Sequence, residues 1–488
     1  MGKLKLVPYQ EEGLNRVLDE PCFFLFMEMG TGKTPIAIKA IEERYLREEA
    51  TRVIIWVPNI LKYNWSSEIK RFLNLSHSKY AIHIPEGKNR GKKGRDQQLM
   101  SFIQDNKDKL QILIVNFDKA RVMEKSLSKF KPQFAVIDEV HSLRNRGAAK
   151  SRTICRLTRG CSYRLGLTGT PIVGGPEDLY MQYNIIRPKT LGTSYREFEE
   201  RYLIKGGYMG YDIVGYKNQD EIKSIMKETS YKVKLSQVCD MPPIQHIFVP
   251  SELESKAQKS YDGLMENMVA ELDEPVTRKR IKMTLKANNI EYHPRERYFS
   301  LLHKAEGLIN TTTCDMVITQ RLRLQQICGG FLTLDSGESI RLETEKLSQV
   351  KSIIEGEEGP TIIFCQFIAE IEQLTTDLKK AFPKKRVEHY RDKNNRDIIY
   401  QDFQKGKVDV LILQNSSGSV GLNLQRATSL IFYSQNFNYD DYYQAIFRIY
   451  RRGQTKPTRV YYLQAKNTVD EDIYSSLMEK KKLASSFI

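Results

Sequence analysis

No stretch of these 488 residues approaches the ~20 consecutive apolar positions that a membrane-spanning helix needs, and the opening Met1-Gly2-Lys3-Leu4 has no hydrophobic signal core. A soluble, intracellular chain is the expectation. The seven cysteines are scattered, and no pair stands at zinc-ligand spacing from a second pair or from histidines. This excludes a zinc ribbon and predicts free thiols in a reducing compartment. Low-complexity tracts and short repeats are missing as well. Acidic residues are in deficit, 60 Asp plus Glu against 76 Lys plus Arg, so the formal charge is +16. That balance suits a polyanionic partner, although solvated lysine faces give the same count. The chain is too long for one hydrophobic core and predicts about two to four domains.

What is present is alternation. Short β-rich runs at 23–26, 53–57, 112–115, 134–137 and 164–167 are separated by helical patterns, which predicts a parallel sheet with helices on both faces. A second series follows at 361–365, 387–390, 410–413, 430–433 and 460–463. Two tandem α/β lobes with parallel sheets are therefore expected. The stretch 197–347 between them is charged and mostly helical in pattern, and Met241-Pro242-Pro243 interrupts it. The expected domains are 1–240 and 241–488, with a helical insertion at about 250–345 belonging to the second.

Each strand of the first series ends where a polar motif begins, the place where open α/β sheets bind ligands. After the first comes Glu28-Met29-Gly30-Thr31-Gly32-Lys33-Thr34, opening a helix with Ala37, Ala40, Ile41 and Tyr45 expected on one face. Glycines at such a turn let backbone N–H groups curl around phosphate oxygens beside the positive end of the helix. Met27 stands where the strict pattern has glycine. Lys33 would bridge the outer phosphates, and Thr34 would offer a hydroxyl to Mg²⁺. Phe134-Ala135-Val136-Ile137 runs into Asp138-Glu139-Val140-His141. Asp138 is placed to hold the metal through its water shell, and Glu139 to polarise the attacking water. A nucleoside triphosphatase using Mg²⁺ is the reading.

In the second series, Gln444-Ala445-Ile446-Phe447-Arg448-Ile449-Tyr450-Arg451-Arg452-Gly453-Gln454 sets Gln444, Arg448 and Arg451 at i, i+4 and i+7. On one helix all three face the same way, toward an anion or toward an acidic surface. Two basic clusters, Lys88, Arg90, Lys92 and Lys93 in a glycine-containing loop and Arg278, Lys279 and Arg280 on a predicted helix, either track a phosphate backbone or are solvated.

With these motifs in this order the chain resembles the Snf2-like members of the superfamily 2 helicases and translocases, nearly end to end. Pro8-Tyr9-Gln10 with Gly13 resembles the segment that reads adenine, with Gln10 as the residue carried over. Residues 28–34 match motif I, 138–141 motif II and Leu167-Thr168-Gly169-Thr170-Pro171 motif III. Pro58 with Trp65 and Glu68 is similar to motif Ia. Leu322-Arg323 with Gln325-Gln326-Ile327-Cys328 is similar to a second-lobe helix of the family. Residues 362–367 resemble motif IV, 417–424 motif V and 444–454 motif VI. Val140, Val173-Gly174-Gly175 and Phe437-Asn438 depart from the usual alanine, polar residues and Trp-Asn.

The resemblance implies two RecA-like lobes. It implies that Arg448 and Arg451, with Gln444 beside them, meet the nucleotide across the cleft, Arg451 being the preferred arginine finger. Thr168, Thr170 and Ser417 would grip nucleic-acid phosphates without reading sequence. No histone-reading, zinc or nuclease segment is seen, so chromatin remodelling is not expected. The compactness is similar to bacterial or phage members, in the cytoplasm of a prokaryotic or phage-infected cell. The preferred function is an ATP-dependent translocase on duplex or branched DNA, engaged in fork remodelling or branch migration alongside replication or recombination proteins. A strand-separating helicase on DNA or RNA is the alternative. The intact set Lys33, Thr34, Asp138, Glu139, Arg448 and Arg451 argues against a scaffold with a vestigial site.

Overall fold

The computed structural model describes residues 5–85, 92–206, 212–272, 311–333, 339–391, 395–418 and 422–487. Lys88, Arg90, Arg278, Lys279 and Arg280 lie outside the described residues, as does much of the expected insertion. The chain divides into two compact units: Met1–Tyr202 with Lys217–Asp240 and Leu483–Ile488, and Leu203–Tyr216 with Met241–Lys482.

The first unit holds strands β1 (Cys22–Met27), β2 (Arg52–Val57), β3 (Tyr80–His83), β4 (Leu110–Asn116), β5 (Phe134–Asp138) and β6 (Tyr163–Thr168). β7 (Leu203–Gly206) and β8 (Asp212–Tyr216), which belong to the second unit, form an antiparallel pair, and β9 (Ser230–Val233) returns to the first unit's sheet. That sheet runs β3-β4-β2-β5-β6-β1-β9, every neighbour parallel. β4 and β5 are buried at every position, as continuous apolar runs must be when helices cover both faces. β6 therefore lies between β1 and β5, so the strand ends that carry three separate motifs are neighbours.

The second unit contains β10 (Ile244–Ser251), the antiparallel pair β11 (Phe331–Thr333) and β12 (Ser339–Arg341), then β13 (Thr361–Cys365), β14 (Val387–His389), β15 (Val410–Gln414), β16 (Ser429–Phe432) and β17 (Thr458–Ala465). Its sheet, β10-β17-β16-β13-β15-β14, is again parallel throughout. β10 is an edge strand, where Pro250, with no N–H to donate, is tolerated. Ile363, Ile371, Leu374, Val410, Ile412 and Ile431 form the centre of the core. Lys346 is fully buried within this unit, donating to Asp470 Oδ2 at 2.7 Å and to the Tyr433 carbonyl at 3.0 Å.

The helix after β1 differs from its expected one-sided pattern. Helix α1 spans Pro8–Asp19, α2 Lys33–Leu46 and α3 Lys62–Phe72. α2 is buried on nearly all faces from Ile36 to Glu42, because α1 and α3 flank it. Its buried charges are paired: Lys39 Nζ donates to Glu42 Oε2 at 2.9 Å, and Arg44 donates to the carbonyls of Val17 and Glu20. Among the described residues no helix is long and apolar enough to cross a membrane.

Candidate nucleotide site

The turn leaving β1 uses backbone that only glycine adopts without strain. Gly30 has φ 82° and Gly32 φ 91°, in the left-handed region, and Gly32 starts α2. A side chain on Gly32 would also strike the Gln10 amide. That amide and the Tyr9 hydroxyl both donate to the Thr31 carbonyl, at 3.1 and 3.0 Å, so α1 holds the loop from one side. Thr31 is fully buried, and its hydroxyl donates to the Glu28 carbonyl at 2.7 Å. Glu28 N donates to Val233 of β9, and Glu28 Oε2 accepts from Leu235 N, which fixes the other side. Lys33 Nζ donates to the carbonyls of Met27 and Glu28, at 2.8 and 3.3 Å. Met29 and Thr34 are half-buried at the two ends of the turn.

Asp138 ends β5 as expected. Its Oδ2 accepts from the indole N–H of Trp65, a buried residue of α3, at 2.8 Å, and its Oδ1 from the Glu139 N–H at 3.0 Å. Burial, and then the charge of Glu139, push the Asp138 carboxyl up to about 7, against the lowering pull of Trp65 and the Lys33 ammonium. Glu139 takes a left-handed conformation, φ 48° and ψ 51°, rare and strained for a residue with a Cβ. His141 Nδ1 lies 2.7 Å from Thr168 Oγ1 and 3.4 Å from Glu139 Oε2, and Thr168 Oγ1 accepts from Thr170 N at 3.0 Å. The end of β6 is thus tied to motif II. It also presses on motif I: a Cβ on Gly169 would lie 3.3 Å from the Met27 carbonyl oxygen and 3.6 Å from Met29 N. Within this unit Gln10, residues 29–34, Asp138, Glu139, Thr168 and Thr170 form one site.

The divergent Val173-Gly174-Gly175 segment has its own support. Asp178 Oδ2 accepts from Val173 N at 2.8 Å and Gly174 N at 2.7 Å, and Gln182 donates to the Pro171 carbonyl. The chain supplies the polar group from the following helix rather than from the segment itself.

In the second unit Gln444 and Arg448 share the helix Tyr439–Ile449, and both are buried. Arg448 Nη1 donates to the Leu422 carbonyl at 3.2 Å, and Nη2 lies 3.5 Å from Gln444 Oε1. Arg451 corrects the expected alignment: the helix ends at Ile449, before it. The Arg448 carbonyl accepts from Leu424 N at 3.0 Å, and a turn closed by Gly453 (φ 98°) and anchored by Gln454 replaces helix. Ser417 lies in the short helix Asn415–Gly418 at the end of β15, and Lys92 and Lys93 begin the helix Lys92–Asp105. Trp65 as partner of Asp138 and His141 as partner of Thr168 were not foreseen. Both residues stand in segments already singled out, but the first pair is separated by 73 positions and no local signal reveals the pairing.

A family model described as SNF2-related domain matches residues 9–300, and one described as helicase conserved C-terminal domain matches 345–453. The chain is similar to an uncharacterized ATP-dependent helicase of Mycoplasma genitalium, 27% identical over 97% of this chain and 41% of the relative. It is also similar to the DNA annealing helicase and endonuclease ZRANB3 of Bos taurus, 24% identical over 99% of this chain and 40% of the relative. The chain thus spans about two fifths of the length of these curated relatives. The Sulfolobus solfataricus SWI2/SNF2 ATPase core in complex with dsDNA aligns over 100% of this chain and 93% of its own, at 22% identity and a TM-score of 0.42.

Proposed function

The chain belongs to the SNF2-related family, and from that premise we propose that it is an ATP-driven DNA translocase acting on duplex or branched DNA. Fork remodelling or branch migration of four-way junctions is its finer role, alongside replication or recombination proteins in the cytoplasm. The observation that carries the reading is the convergence in the first unit of three strand ends, with Gly169 against the glycine turn and His141 joined to Thr168. The relatives' names, an ATP-dependent helicase and a DNA annealing helicase, support the substrate class.

The donor set fits magnesium and a triphosphate. The positive-φ glycines open a turn that a side chain would obstruct, and the Thr34 hydroxyl and Asp138 carboxylate are hard oxygen ligands of the kind Mg²⁺ takes. Bound Mg·ATP supplies the phosphoanhydride whose hydrolysis drives the motor. Gln10 reads the base, while the amides of Met29 to Gly32 and the Lys33 ammonium hold phosphate oxygens. Trp65 keeps Asp138 in one orientation, and Glu139 orients a water and takes its proton at the carboxylate. Arg448 and Arg451, with Gln444, would stabilise charge on the γ-phosphoryl group as it passes from ADP to water. Thr168 and Thr170 relay the change to the nucleic acid, which Ser417, Lys92 and Lys93, with Lys88, Arg90, Arg278, Lys279 and Arg280, grip by its phosphates.

The test is steady-state ATP hydrolysis with matched single-stranded, duplex and four-way-junction DNA and an RNA duplex at fixed salt, since phosphate contacts are salt-dependent. Strongest stimulation by the junction supports branch remodelling. Strongest stimulation by single strands or RNA, with strand displacement in the absence of a branch, replaces it with the strand-separating reading.

A further inference from the structure

The helix Thr311–Cys328 of the second unit precedes β11. Its Arg321 and Gln325, one turn apart on a shared face, both meet the loop that follows β16. The Arg321 guanidinium carbon lies 3.5 Å from the centre of the Phe437 ring, and Gln325 Nε2 lies 3.5 Å from the Gln435 carbonyl oxygen. Lys480 Nζ donates to the Phe437 carbonyl at 2.8 Å. Three side chains from two helices therefore fix one short loop.

That loop starts the helix bearing Gln444 and Arg448. Asn438 caps it, its Oδ1 accepting from Asp440 N at 3.1 Å, and Asn436 braces the cap by accepting from Asn438 N at 3.0 Å and donating to Asp441 Oδ2 at 2.9 Å. One turn on, Asp440 Oδ2 accepts from Gln444 Nε2 at 3.0 Å. Gln444 Oε1 faces Arg448 Nη2, and Arg448 Nη1 reaches the Leu422 carbonyl. Inside one unit a path thus runs from Arg321 through the Phe437 ring and the backbone to the Asn438 cap, and by hydrogen bonds from there to Arg448.

We propose that Arg321 is a positioning residue: stacked on Phe437, it holds the loop that sets the cap and hence the orientation of Gln444 and Arg448 for nucleotide turnover. The inference rests on the nucleotide reading of Arg448 given above. It assigns a role to a side chain that belongs to none of the motifs, and it explains why an aromatic ring serves at position 437. A planar guanidinium stacks on a ring face, whereas an ammonium is a point charge without a face to stack. Lysine at 321 keeps the charge and loses the stack.

The experiment compares the full chain with Arg321→Ala, Arg321→Lys, Phe437→Ala and Phe437→Trp, reading duplex-saturated ATP turnover, the KM for ATP, duplex affinity by anisotropy and melting temperature. Arg321→Ala is expected to lower kcat about tenfold with KM and duplex Kd within about twofold, and Arg321→Lys not to restore it. Phe437→Trp retains turnover, and Arg321→Ala with Phe437→Ala together is no slower than the worse single change. The two native tryptophans both lie in the first unit, so the emission that Phe437→Trp adds over the unaltered chain reports the stack and shifts when Arg321→Ala is added. Unchanged kcat, full rescue by lysine, a loss confined to duplex affinity, or indole emission indifferent to residue 321 each overturns the inference. Absence of turnover in the unaltered chain overturns the nucleotide reading and this inference with it, whereas normal turnover unaffected by Arg321→Ala overturns only the latter.

Discussion

Each unit buries a carboxyl raised to about 7, Asp138 in the first and Glu370 in the second, yet their surroundings differ. Asp138 has a second carboxylate, Glu139, as a cause of its shift, and a lysine and an indole opposing it. Glu370 is raised first by burial, with a lesser push from Asp470, against the Ser434 hydroxyl, the Phe367 N–H and the Lys346 ammonium; its Oε2 accepts from Gln366 N, Phe367 N and the Ser434 hydroxyl, capping the helix Ile368–Ala381. A perturbed carboxyl marks a chemical site when a second carboxylate beside a glycine turn is its leading neighbour, and a structural one when the donors of a helix cap hold it most strongly. The two groups should respond oppositely to substitution: one through turnover, the other through stability.

The largest effect that separates them is expected in the nucleotide site. Lys33→Ala and Arg451→Ala should each lower ATP turnover by roughly a thousandfold while duplex affinity by anisotropy stays within about threefold. Equal loss of turnover and binding would remove the assignment of Lys33 to the nucleotide.

Next comes the pH response of Glu370. Its carboxyl is raised in the folded chain, so the native state binds a proton that the unfolded chain releases near the usual carboxylate range. Stability from this group is fully present below about 4.5 and is lost as pH rises through about 7. Glu370→Gln keeps an acceptor without the charge and should stabilise the chain at pH 8 by a few kcal/mol, on the order of what the shift implies, and far less at pH 5. Urea denaturation followed by a second-unit probe at the two pH values checks this, and an equal effect at both would contradict it.

Trp65→Phe is expected to be smaller. It leaves a buried Asp138 oxygen without its donor, costing about 1–3 kcal/mol of stability and roughly tenfold in turnover, measured by melting and hydrolysis together. The mildest is Gln10→Ala, which frees one side of the glycine turn and should raise the KM for ATP several-fold with kcat nearly unchanged, about 1 kcal/mol of uniform binding.

The same contrast explains what was legible in the sequence. Buried parallel strands read clearly because helices on both faces demand unbroken apolar runs, as at 134–137 and 361–365. Three of the four edge strands of the two parallel sheets, β3, β9 and β10, did not, and β10 follows a Pro-Pro and is half exposed. The glycine turn and Asp138 were legible because their chemistry is local. The supports were not: Trp65 reaches Asp138, and Arg321 reaches Phe437, only through the fold. The helix ends at Ile449, before Arg451, and the Arg448 carbonyl, which a continuing helix would offer to residue 452, accepts instead from a distant amide, Leu424 N.

The most direct measurement is steady-state ATP hydrolysis by the unaltered chain, titrated with linear duplex DNA at fixed ionic strength. The proposed motor predicts turnover that rises at least about tenfold and saturates with duplex, and that Lys33→Ala abolishes. A rate indifferent to duplex, or one that persists in Lys33→Ala, would contradict it.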